Sequence, residues 1–108
     1  MPHYLLQASY TSGAVSGLIG SPEDRSAMIR ALVEGIGGRV EAYYYAFGDY
    51  DIILIVELPD NVTMAALSMV AGASGAIFNF KTTVLIPISE GVEAARKAAG
   101  INYRPPGS

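Results

Sequence analysis

Few side chains in this sequence are placed to do chemistry, and three stand out: His3, Tyr44 and Asp51. His3 is the single imidazole of the chain. Near the chain start it is either a general base or a strand-end histidine with its ring partly in water. Asp51 is embedded in Tyr50-Asp51-Ile52-Ile53-Leu54-Ile55-Val56, where every neighbour prefers a strand. A carboxylate on such a surface is desolvated and needs a partner. Beside the Tyr44 hydroxyl it could serve as an acid or base. Otherwise it accepts amides of the adjoining turn, or meets a cation across an interface. If the chain has a ligand pocket, these residues place it where the first strand meets the central hairpin.

Other chemistries are excluded or weak. With no cysteine, disulfides, thiolate metal sites and cysteine nucleophiles are absent. One histidine and dispersed carboxylates predict no metal site. The glycines between 12 and 20 have neither a P-loop lysine nor dinucleotide spacing, so no phosphate-bearing cofactor is expected. Lys81 and Arg39 read as sheet-edge charges.

The element that positions Asp51 is a hairpin. Gly48-Asp49 suits a two-residue type II′ loop, with Gly48 at positive φ. That loop pairs Phe47 with Tyr50, Tyr45 with Ile52 and Tyr43 with Leu54. One face then carries Tyr43, Tyr45, Phe47, Tyr50, Ile52, Leu54 and Val56. The other carries Val40, Ala42, Tyr44, Ala46, Asp51, Ile53 and Ile55. Both are largely apolar, whereas a strand facing water alternates apolar with polar. The hairpin is therefore expected to be covered on both sides, and a bulge would swap faces.

The remaining chain supplies a strand over 3–10 and a Gly/Ser-rich loop over 11–20. A helix follows, with Ser21 as N-cap and Pro22 at its first position. Met28, Leu32, Val33 and Ile36 are spaced to face the sheet, and Gly35, Gly37 and Gly38 end the helix. Strands follow over 39–47 and 50–58. Asp60 or Asn61 caps a second helix running to about Gly72. A fourth strand spans 76–86, a short helix opens at Ser89, and residues 102–108 form an extended tail. The order βαββαβ is ferredoxin-like: an α+β fold with an antiparallel sheet, helices on one face and a short C-terminal helix. Residues 1–100 form one domain and 101–108 the tail.

Composition points to self-association. The chain has 108 residues, 51% of them hydrophobic and only 16% charged, against about 25% in an average domain. The net charge of −3 and scattered basic residues speak against nucleic acid. The start lacks a signal-peptide pattern, and a cytoplasmic location is expected. Polar and glycine residues break both charge-free stretches, 5–22 and 61–80, so no membrane span is expected. The second helix carries no charge, so it should be buried on more than one side.

Several ordered matches give the sequence a family resemblance. Tyr10-Thr11 with Gly13, Ser21-Pro22 with Arg25, Gly37-Gly38-Arg39-Val40, Tyr44, Gly48-Asp49-Tyr50-Asp51, Val56-Glu57 and Pro59-Asp60 resemble the GYD-domain proteins over roughly 3–95. The resemblance implies a dimeric α+β barrel, with no settled activity. Three functions stay open: an oligomeric small-molecule-binding or accessory protein; a cofactor-independent oxygenase, isomerase or lyase acting on an apolar or aromatic substrate; or a structural assembly subunit. A homo-oligomer, dimeric at minimum, and a small apolar ligand are the expected partners.

Overall fold

The computed structural model describes residues 1–107; Ser108, the end of the expected tail, lies outside them. The elements are β1 (His3–Tyr10), α1 (Ser12–Gly20), α2 (Ser26–Gly35), β2 (Arg39–Tyr45), β3 (Ile52–Glu57), α3 (Asn61–Ala73), β4 (Ile77–Leu85) and α4 (Ile88–Ala98). The strands form one antiparallel sheet in the order β2-β3-β1-β4, the ferredoxin-like arrangement.

Alternation along β1 sets the layers. Tyr4, Leu6 and Ala8 are buried, and they pair with Val56, Leu54 and Ile52 of β3. Paired residues share a face, so this row is the helix side. It meets Val33 of α2, Met64 of α3 and Leu58 in the core. His3, Leu5, Gln7 and Ser9 point to the opposite, open face.

The hairpin register follows the expected pairing of Tyr45 with Ile52 and Tyr43 with Leu54. The loop differs. Phe47 and Tyr50 stay outside the ladder, which closes instead on the bond from Ala46 N to Asp51 O. Residues 47–50 thus form a wider loop, with Gly48 at φ 154°. A bulge between Val40 and Ala42 shifts the register. It sends Val40 to the helix side, where it is buried, and not to the face shared with Tyr44. A second irregularity offsets β4 from β1 between Gln7 and Ser9, and Asn79 there adopts φ 53°, a conformation Asn tolerates.

Two helix expectations need correction. Residues 12–20 are a helix and not a loop. Thr11 caps it: its Oγ1 accepts from Ala14 N and donates to Gly75 O, 3.0 Å away. Ala14 and Leu18 form its half-buried side, and their packing opposes the cost of its glycines, each about 1 kcal/mol against alanine. Ser21 and Pro22 consequently close α1 and do not start the next helix. Ser21 N donates to Gly17 O, and α2 begins at Ser26, whose amide donates to Asp24 Oδ1.

The other ends match residue chemistry. Gly37, at φ 90°, and Gly38 terminate α2 as their amides donate to Glu34 O and Val33 O. Gly38 has no room for a Cβ, which would collide with Glu57 O and Leu58 Cδ2. Asp60 caps α3 by accepting from Thr63 N, holding its own carboxyl below the usual range. Pro87 precedes α4, which starts one residue before Ser89. No helix is long and apolar enough to cross a membrane among the described residues.

These contacts predict opposite outcomes at two glycines. Gly17→Ala lies in a helix with open space around its Cβ, so it should stabilise by about 0.5–1 kcal/mol. Gly38→Ala should destabilise by about 1–3 kcal/mol through overpacking. Urea denaturation measures both; a destabilised Gly17→Ala would remove α1 from the fold.

Candidate functional site: a tyrosine-floored groove on the helix side

α2 and α3 do not close over the sheet completely. Met28 and Leu32, expected in the core, are half-exposed; Val33 is the one fully buried residue of α2. Between the helices lies a groove of about 540 Å³. Its floor is Tyr10, Tyr43, Ile52 and Ile77; its walls include Leu18 of α1, Met28, Ile29 and Leu32 of α2, and Leu67 and Val70 of α3. The apolar floor continues inward to Leu6, Leu54 and Phe80. α1, absent from the expected fold, supplies the outer wall.

Three tyrosines gather at one end. The Tyr45 ring lies 6.4 Å from Tyr10 and 6.3 Å from Tyr43, tilted in both cases. Burial, followed by the neighbouring Tyr43 hydroxyl, pushes the Tyr10 pKa well above the ordinary 10.0. Burial also raises Tyr43. Both hydroxyls are therefore neutral near pH 7 and act as hydrogen-bond donors and acceptors. Glu23 and Arg25 border the groove, paired at 3.1 Å. Glu23 is the single carboxylate among the described lining residues.

The structure does not bring His3, Tyr44 and Asp51 together. Asp51 sits just before β3, and His3 pairs with Glu57 at the far end, about 20 Å of strand away. Asp51 Oδ2 accepts from Tyr10 N at 2.8 Å, while Asp51 N donates to Ala8 O. The carboxylate ties the hairpin loop to the end of β1. Its other surroundings are a second groove, lined by Val15, Leu18, Tyr45 and Phe47 among others. Tyr44 pairs with Ile53 on the open face and is 66% exposed. Gly48, Asp49 and Tyr50 lie in the loop.

His3 belongs to a polar network that the sequence alone does not reveal. Its Nδ1 lies 2.7 Å from Glu41 Oε1 and its Nε2 3.3 Å from Glu57 Oε1. Arg39 Nη2 lies 2.6 Å from Glu57 Oε2 and 3.5 Å from Glu41 Oε1. The hydrogen bond from Arg39 holds the Glu57 carboxyl below its usual range, against partial desolvation. His3, Glu41 and Glu57 could each turn one ligand atom to a cation. Arg39 already engages both carboxylates and offsets part of their charge. The antiparallel register that sets His3 opposite Glu57 is the signal that creates it.

The GYD domain family matches this chain over residues 4–95, and the chain belongs to that family. It is 28% identical over 92 residues to the glutamine synthetase and cystathionine beta-lyase binding protein of Thermus thermophilus, covering 83% of this chain and 94% of that one. Its fold is similar to the crystal structure of FFRP-DM1, with TM-score 0.54 and 18% identity over 80% of this chain and all of that one. A hypothetical protein of Pyrococcus horikoshii, PHS023, is also similar, with TM-score 0.52, 15% identity and coverage of 81% and 92%.

The raised tyrosines give a pH prediction. A group whose folded pKa lies above its unfolded value lends stability that is complete below the unfolded pKa, here 10.0, and is lost as pH rises through the folded one. Stability should therefore fall above that pH, and less steeply in Tyr10→Phe. Tyrosinate absorbance during alkaline titration should show Tyr10 ionising after the exposed tyrosines. Titration of all seven tyrosines as one class would contradict this environment.

Proposed function

We propose that this protein is an oligomeric accessory protein of the cytoplasm that binds a small apolar ligand in the helix-side groove without transforming it. The groove is the observation that carries the reading. Its size is within the ordinary range for small-molecule sites, and apolar walls with a few polar groups are their usual lining. Two neutral tyrosine hydroxyls can orient a ligand. Catalysis as an oxygenase, isomerase or lyase asks for a positioned base, and the one carboxylate at this groove is tied to Arg25. A purely structural subunit would have no reason to keep α2 and α3 apart.

The accessory role draws support from the Thermus relative, whose name describes a protein that binds two enzymes. Oligomerisation draws support from the open sheet face. Leu5, Ile53 and Ile55 are only half-buried there, beside exposed Tyr44. A second copy laid face to face would cover this strip, and a stable contact of that kind buries at least about 1,200 Å² in total.

An anilinonaphthalene sulfonate probe tests the groove. The wild type should enhance its fluorescence with saturable, equimolar binding. Ala71→Phe, which fills the groove from α3, should weaken binding at least about tenfold, or about 1.4 kcal/mol, with the circular dichroism spectrum retained. Equal binding by a folded Ala71→Phe would remove the groove from the proposal.

A further inference from the structure

Among the described residues, the C-terminal helix has no substantial packing partner in its own chain. None of its residues is buried. Ile88 is 86% exposed, and Val92, Ala95 and Ala99 are also open. These four recur at i, i+4, i+7 and i+11, one apolar stripe on a helix, with Glu90, Glu93, Arg96 and Lys97 elsewhere around it. The chain as a whole is drawn out. It extends 59 Å along its longest axis, with a radius of gyration of 17.6 Å, where a compact domain of this length has about 13 Å. A lone 11-residue amphipathic helix is marginal in water and takes its stability from packing.

A matching surface exists on α3. Its inner side holds Met64 and Leu67 in the core. Its outer side shows Val62, Ala66, Met69 and Ala73, also at i, i+4, i+7 and i+11, with Val62 at 78% and Met69 at 74% exposure. No residue of α3 is charged. The helices are about 16 Å and 20 Å long, so the stripes match in length as well as spacing. Both stay open within one chain.

We propose that α4 is an exchanged arm, docking its Ile88-Val92-Ala95-Ala99 stripe on the outer face of α3 in a second copy of this chain. Arm and receptor occur in equal number in any assembly of identical chains. The uncharged receptor suits an apolar stripe and offers nothing to a charged ligand. Reciprocal exchange across a two-fold axis would close the contact. This contact is separate from the open sheet face and goes beyond the ligand-binding reading.

The absence of cysteine makes the test direct. Full-length Val92→Cys and full-length Met69→Cys chains, each carrying one thiol, are mixed and treated with a short bis-maleimide. A mixed cross-linked dimer, several-fold more abundant than from Val92→Cys with Ser16→Cys, is the expected result. A mixed product no more abundant than in that control overturns the proposal. So does a double variant that closes on itself within one chain. A second measurement guards against linker geometry: Ile88→Asp with Val92→Asp should raise the dissociation constant of the assembly at least about tenfold. An unchanged constant overturns the arm. Ile53→Asp separates the two contacts: if it leaves assembly intact while the arm variant dissociates it, the sheet-face reading fails and the arm stands; the reverse pattern sinks the arm alone.

Discussion

The β1–β3 pairing places apolar side chains on both faces of the sheet, while the chain provides helices for one. Tyr4, Leu6 and Ala8 with Val56, Leu54 and Ile52 lie under α2 and α3. Leu5, Ile53 and Ile55 point the other way and stay half-covered. Fully burying one such side chain is worth about 1.5–3 kcal/mol. On a chain with so few charges, covering this strip with another apolar surface would be favourable. The two-sided register thus governs the elements around it, and it is the ground on which the association proposed above rests.

The helix side follows from the same sheet. β1 runs on past Ala8 to Tyr10, and α1 begins only two residues later. That places α1 beside the end of the sheet and leaves α2 and α3 apart, with Tyr10 and Tyr43 as floor between them. Asp51 contributes by holding Tyr10 N, so the residue that the sequence marks out for chemistry acts as a strap for the groove floor. At the other end of the sheet, Arg39, Glu41, Glu57 and His3 contact one another. The open face therefore has an apolar middle and a charged end, a pattern that can set the register of a partner.

Much of the fold was legible in the sequence because its signals are local. The succession of strands along the chain, the hairpin pairing at Tyr45–Ile52, the Asp60 cap and the Gly37-Gly38 stop each rest on a few adjacent residues. The expected shared site was not a local matter. His3 and Asp51 flank the same strand pair, but the antiparallel register sends them to opposite ends. α1 was hidden by Gly13, Gly17 and Gly20, whose loop propensity is overcome by the Thr11 cap and by packing on Leu18. The bulge that buries Val40 leaves no mark in the alternation around Glu41. The groove is equally silent, since Met28 and Leu32 have the same helical spacing whether they meet a core or line a cleft.

Sedimentation equilibrium of the untagged chain at micromolar concentration tests the central claim, that the open sheet face is completed by another copy. A chain of 11.4 kDa should sediment as at least a dimer, and Ile53→Asp should shift it toward the single-chain mass while keeping its helical signal. A wild type of single-chain mass under these conditions would contradict the account.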